Sequence, residues 1–320
     1  MSLSLLALMA ASCSSTARSS QNAADSVANN QQLPSVRFNA DSAYSFVEAQ
    51  CAFGPRVPGT AAHSRCGDYL VSQLKRFGAN VTEQKAKLKA FDGTALDMRN
   101  IIATINPDVQ KRILLLAHWD CRPWADNDSD PANHSQPVMG ANDGASGVGV
   151  LLEICRSLQS SPATVGVDII LVDDEDWGNH NGDEESWALG TQYWTKNMHE
   201  PGYRPAFGIL LDMVGAKGAT FYQEYYSTTY AQSVVTEVWN IAQRLGYGAM
   251  FRNSRGGGIT DDHVFLCRAG IPCIDIIDMR LDSDNGFFEH WHTTTDTMQN
   301  IDPATLKAVG TVVLTLIHSM

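Results

Sequence analysis

What this 320-residue chain lacks narrows its chemistry before any motif is considered. Basic residues are scarce: 23 Lys and Arg stand against 35 Asp and Glu, a formal net charge of -12. Phosphate binding draws on clustered Lys and Arg, so no nucleic-acid partner is expected. The seven cysteines include no CxxC pair, and neither a zinc ribbon nor a thioredoxin motif is signalled. The N-terminal apolar run, Leu5 to Ala11, is too short to span a bilayer. No internal repeat is present. What remains is an ordinary globular composition, 44% hydrophobic, enough for a sizeable core.

The first residues form their own signal. A short apolar run passes through Ala10-Ala11-Ser12 to Cys13, which resembles the processing site of a bacterial lipoprotein signal peptide. Two features depart from that pattern: residues 1–4 carry no Lys or Arg, and Ala10 stands where Leu is usual. Residues 1–13 are read as that signal, and 14–38, rich in Ser, Asn, Gln and Ala, as a disordered tether. The folded domain is expected over 39–320. Export to the bacterial envelope follows, in the periplasm or at the outer membrane, with a lipid anchor through Cys13. In an oxidising compartment Cys51 could pair with Cys66, and Cys267 with Cys273; the alternative is that they are small buried hydrophobes.

Within the domain, buried strands alternate with helices. The patterning predicts helices over Ser42–Cys51 and Ala61–Phe77, then strands over Val81–Ala90, Asn100–Ile105 and Arg112–Trp119. A helix follows Asp143, with Val148, Leu151, Leu152, Cys155 and Leu158 on one stripe. Further strands are expected at Val167–Val172, Ala206–Leu211 and Pro272–Ile277. Helices are expected at about Trp187–Met198, Thr229–Leu245, Asp261–Ala269 and Pro303–His318, the last capped by Asp302. This order implies an α/β fold: a single doubly wound domain whose twisted, mostly parallel central sheet is flanked by helices. Such sheets bind ligands outside the carboxyl ends of their strands.

The acids and histidines gather at those ends. His118 and Asp120 close one strand, Glu175 and Asp176 another, and Asp212 a third. Asp143 begins a helix inside Ala141-Asn142-Asp143-Gly144-Ala145-Ser146-Gly147, with Asp261 and His292 later in the chain. Each has an ordinary explanation: Asp143 as an N-cap, His118 as a hydrogen-bonded core histidine, Asp212 as a turn cap, Trp291 as packing. Asp and His ligands without thiolates suit zinc with an open coordination position. The loop Arg122–Gly140 is long for a compact domain, and its Trp124 marks it as functional.

This ordered series resembles the metal-site motifs of the M28 zinc aminopeptidase superfamily. More narrowly, Asp261-Asp262-His263, Trp291-His292 and Ala117-His118-Trp119-Asp120 resemble glutaminyl-peptide cyclotransferases of animal type, from about Ala40 to the end of the chain. Residue by residue, the resemblance implies Asp143, Asp176 and His292 as ligands of one zinc ion. Glu175 would be the acid/base, Asp212 and Asp261 its acid network, and Trp291 the substrate-pocket wall. Trp177 and His118 are further candidates for contact with substrate. His118 and Asp212 also correspond to second-metal ligands in the aminopeptidases. Two positions depart from the animal pattern: Asp176 stands where Glu is usual, and Gly144 where a hydroxyl residue is usual.

The chemistry so implied is cyclisation of an N-terminal glutamine, the α-amine attacking the γ-carboxamide carbon and expelling ammonia. The partners would be peptides or proteins beginning with Gln, and a monomer would suffice. The rival enzyme reading is a two-zinc aminopeptidase with Asp143 between metals about 3.5–4 Å apart. A non-enzymatic binding module is the third reading. One zinc and ammonia release separate the first from both others.

Overall fold

A computed structural model of the chain describes residues 32–180 and 182–320. The proposed signal peptide, Cys13 and the tether up to residue 31 lie outside the described residues. Ser35–Met320 form one compact unit. Its helices are α1 (Ala40–Cys51), α2 (Ala61–Arg76), α3 (Ala145–Ser160), α4 (Leu189–Lys196), α5 (Tyr225–Tyr230), α6 (Gln232–Arg244), α7 (Asp262–Arg268) and α8 (Pro303–Ser319). Its strands are β1 (Asn80–Lys89), β2 (Ala95–Ile105), β3 (Arg112–His118), β4 (Gly166–Val172), β5 (Gly208–Asp212), β6 (Phe221–Gln223), β7 (Phe251–Arg255) and β8 (Cys273–Ile277).

Six strands make the central sheet in the order β1-β2-β4-β3-β5-β8. The β1–β2 and β2–β4 pairings are antiparallel; β4–β3, β3–β5 and β5–β8 are parallel. The parallel strands are covered on both faces, which is why they read as largely apolar runs, interrupted by Asp168 in β4 and Asp275 in β8. Every residue of β4, β5 and β8 is buried. On one face Leu114, Leu116, Ile170 and Leu210 pack with Trp194 of α4 and Leu266 of α7. On the other, α3 lies so close that a Cβ at Gly147 would fall on the Leu211 carbonyl oxygen. Edge strand β1 keeps its outer residues exposed and carries Lys85, Lys87 and Lys89, which discourages pairing with another chain.

The departures from the sequence reading have local causes. The helix expected over Thr229–Leu245 is two helices, because Ala231 leaves the helical region at φ -141°, ψ 40°. Strand β2 begins at Ala95 rather than Asn100, extended into a hairpin with β1 by the inward alternation of Leu96 and Met98. The β6–β7 pair lies outside the main sheet and was not anticipated, its strands being short and mostly polar. All six described cysteines are free, so neither suggested disulfide is formed. Phe38 is buried against α8, where a Cβ at Gly310 would collide with its ring. Asp302 caps α8 by accepting the Ala304 N–H at 2.8 Å, as the sequence predicts.

Candidate active site

The carboxyl ends of β3, β4 and β5 converge below one cavity. β3 ends in His118, whose Nε2 lies 2.8 Å from Asp143 Oδ1 and 3.2 Å from Asp212 Oδ1. Asp143 therefore faces the strand ends and does not cap α3; that helix starts at Ala145, with Gly144 at the cap position and no side-chain cap bond. A Cβ at Gly144 would fall on the His118 ring, so the hydroxyl residue of the animal pattern has no room on this backbone. The Asp143–Gly144 peptide is cis. Beyond Asp143, His292 Nε2 lies 3.5 Å from Asp143 Oδ2 and 3.1 Å from Asp176 Oδ1.

A second layer of hydrogen bonds fixes these groups. The Asp120 carboxylate accepts the backbone N–H of Glu175 at 3.3 Å and of Asp176 at 3.1 Å, holding the turn after β4. Asp296 accepts the N–H groups of Asn142 (2.9 Å) and Asp143 (3.1 Å) from a point 154 and 153 residues along the chain. Asn142 Oδ1 in turn accepts the Gly215 N–H at 2.9 Å, tying the Asp143 loop to the end of β5. Asp174, Met213 and His292 all adopt left-handed backbone, at φ 54°, 48° and 54°. Non-glycine residues hold that conformation at a cost, characteristically at functional sites.

Above this floor lies a cavity of about 260 Å³. Asp143, Glu175, Asp212, Asp261 and His292 supply its polar surface, and Trp187, Phe287, Trp291, Met213, Ile259 and Ile277 the apolar part. Trp291 stacks on His292 at 3.9 Å between ring centroids, and Phe287 leans on Trp291 at 4.5 Å. Asp261 caps α7 through Oδ1, which leaves Oδ2 buried without a hydrogen-bond partner at the cavity wall.

Eight of the nine residues singled out in the sequence thus meet around one centre, and seven of them line the cavity or hold its ligand cluster. His118 is 1% exposed and sits beneath the floor, so it touches the acids rather than the cavity space. Trp177 is the ninth: it lies away from the cavity, its Nε1 donating to Asp92 Oδ2 at 3.3 Å and its ring set edge-on to Trp124 at 5.6 Å. Trp187 takes the wall position instead, its ring parallel to His292 within 15° at 6.2 Å. Nothing in the spacing distinguished the two tryptophans, since both follow β4. Asp296 and Phe287 were also missed; each belongs to a loop with no periodicity.

Electrostatics separates the carboxylates. Burial would lift Asp143, but the His118 hydrogen bond and charge, with His292, hold it below the ordinary range. Burial pushes Glu175 well above that range; His118 opposes the shift and the Asp261 charge adds to it. Burial likewise lifts Asp212 to about 7, His118 opposing and Asp143 and Asp261 adding. His118 itself is raised well above its usual value, its three carboxylate neighbours outweighing the burial that would lower it.

The donor set fits a divalent cation. One ligand atom each from Asp143, Asp176 and His292 lie within 4.8 Å of one another, all three residues buried. Both Asp176 oxygens are buried with no hydrogen-bond partner, an arrangement a cation would relieve. Two carboxylates and one imidazole, open on one side to a cavity, match a catalytic zinc site. His118, Asp143 and Asp212 form a second such cluster that shares Asp143.

The sequence profile of peptidase family M28 matches residues 100–317. Glutaminyl-peptide cyclotransferase of Bos taurus is 25% identical, over 82% of this chain and 79% of its own. The crystal structure of Porphyromonas gingivalis glutaminyl cyclase is 53% identical with a TM-score of 0.87, over 89% of this chain and 100% of that one. A structure from Parabacteroides distasonis described as a Zn-dependent exopeptidase is 52% identical with the same TM-score of 0.87, over 90% of this chain and 100% of its own.

Proposed function

This chain belongs to peptidase family M28, and we propose that it cyclises N-terminal glutamine of peptides and proteins to pyroglutamate, releasing ammonia. The observation that carries the reading is Glu175: a buried carboxyl on the wall of the cavity that Asp143 and His292 also line, raised by burial above the ordinary carboxylate range. Cyclisation needs one group to take a proton from the α-ammonium and return one to the leaving nitrogen. Such a group works best with a pKa near the working pH.

Asp143, Asp176 and His292 would hold one zinc ion, which when bound polarises the γ-amide carbonyl. Trp291, Trp187 and Phe287 would enclose the side-chain methylenes and hold glutamine in a ring-closing conformation, an effect worth several kcal/mol or more. The amine nitrogen then bonds to the amide carbon and releases its second proton, while Glu175 gives a proton to the amide nitrogen, whose bond to that carbon breaks so that it leaves as ammonia. Asp261 would orient the amide nitrogen through its free Oδ2, with Asp212 behind it. No water molecule has to be activated, because nucleophile and electrophile belong to one residue.

The rival two-metal peptidase would use His118, Asp143 and Asp212 for the second ion. His118 Nε2 lies 2.8 Å from Asp143 and 3.2 Å from Asp212, a geometry that serves a histidine shared between two acids as well as a second ion, so metal stoichiometry separates the readings. Incubation with a Gln-initiated peptide, scored for ammonia and for bound zinc, tests the choice. One zinc with ammonia release supports cyclisation; two zincs with free amino acids would hand the site to the peptidase. The reading also includes export to the bacterial envelope and lipidation at Cys13, checked by fatty-acid labelling of the full chain against Cys13→Ala.

A further inference from the structure

We propose that Arg122 and Asp126 are positioning residues that hold Asp176 and His292 in the register one cation needs. The proposal rests on the zinc-site reading above. Arg122 is 1% exposed, in the loop that follows β3. Its Nε and Nη2 donate to the two Asp126 oxygens at 2.8 and 2.6 Å. Its Nη1 donates to the Asp176 carbonyl oxygen at 3.0 Å and to that of Gly178 at 3.2 Å. The guanidinium lies between the rings of Trp124 and Trp187, 5.1 and 4.9 Å from their centroids.

Asp126 then reaches the other ligand. Its Oδ1 stands 3.6 Å from Nδ1 of His292, the ring nitrogen remote from the cluster, which has no hydrogen-bond partner among the described residues. The neighbouring Asn127 N–H donates to the His292 carbonyl oxygen at 3.1 Å. One guanidinium therefore grips the backbone of one ligand and the carboxylate that faces the other. A carboxylate behind a ligating imidazole fixes its tautomer and raises its basicity. Only a planar fork can serve a bidentate carboxylate and two carbonyls together; the lysine ammonium is a point charge.

The test uses the full chain and its R122K, R122M and D126N variants. Zinc affinity is measured by chelator competition, the melting temperature on the zinc-free protein, and ammonia release with and without excess zinc. The zinc dissociation constant should rise roughly 10–100-fold in R122M and D126N, with R122K in between. Excess zinc should restore turnover in D126N, which a merely structural role would not produce. Unaltered zinc affinity in D126N overturns the proposal, whatever happens to the melting temperature. If R122M does not fold, D126N and R122K decide, the Asp126 side chain being 25% exposed. An unaltered chain that binds no zinc would instead remove the parent reading, and the two failures cannot be confused.

Discussion

Replacing Asp120 by Asn changes one atom and should unsettle the whole β4 turn. The carboxylate accepts two backbone N–H groups at once, from Glu175 at 3.3 Å and Asp176 at 3.1 Å, and its Oδ1 stands 3.5 Å from His118 Nδ1. An asparagine offers one acceptor oxygen and one NH₂ donor, so whichever way it flips, one buried N–H meets another donor. An unsatisfied buried donor costs about 1–3 kcal/mol. In a domain of this size that lowers the melting temperature by roughly 2–5 °C. Activity should fall further than stability, because a general base displaced by about 1 Å can lose on the order of 100-fold in rate. Differential scanning calorimetry and the ammonia assay read the two effects separately. Asp97→Asn is the control, its side chain being 72% exposed; surface changes of that kind stay within about 0.5 kcal/mol. If Asp120→Asn melts and turns over like the unaltered protein, the idea that this carboxylate sets the Glu175–Asp176 turn is wrong.

Glu175→Gln should keep its zinc and its fold while kcat drops about 10²–10⁴-fold, measured by ammonia release; retained turnover would contradict its role as proton carrier. Gly144→Ala places a methyl on the His118 ring, and overpacking of that kind costs about 1–3 kcal/mol, seen in urea unfolding with reduced zinc content. A chelator should abolish activity, and added zinc should restore it at one equivalent per chain, which titration with elemental analysis checks. Glu224 gives a pH test: burial alone would lift it, but hydrogen bonds from His263, Ser227 and Tyr226 hold it below the ordinary carboxylate range. A lowered folded pKa gives stability that is complete above the unfolded value of about 4.5 and is lost as the pH falls through the folded value. Glu224→Gln should therefore flatten the acid limb of a stability–pH curve below that value, and an unchanged limb would refute the assignment.

The sheet and its site were legible in the sequence for one physical reason. Parallel strands are buried on both faces, so Ile113–Ala117, Ile169–Val172 and Ile209–Leu211 are continuous apolar runs that polar residues end sharply. Each such boundary delivered a site residue: His118, Glu175 with Asp176, and Asp212. Side-chain direction was not legible. Trp177 and Trp187 flank the same loop, and only the packing of Trp187 against Gly178, where no Cβ would fit, decides which ring faces the cavity. Partners joined across long sequence separations were equally hidden. Arg122 reads as one charge in a polar loop, and Asp296 as one acid after three threonines, until the fold brings each to a ligand. The break at Ala231 went unseen because alanine is itself a strong helix former and only its backbone angles separate the two helices.

The clasp between Asp296 and the Asn142–Asp143 amides has a consequence for assembly. The two ends of this contact are separated by 154 residues, and closing so long a loop is entropically unfavourable until the intervening strands have docked. A partly folded chain thus owns the side chains proposed to bind metal but lacks the means to gather them. Metal added during refolding would reward only molecules that have completed the sheet, shifting the equilibrium toward them by mass action. Recovery of bound metal then serves as a clock for the last stage of maturation rather than the first.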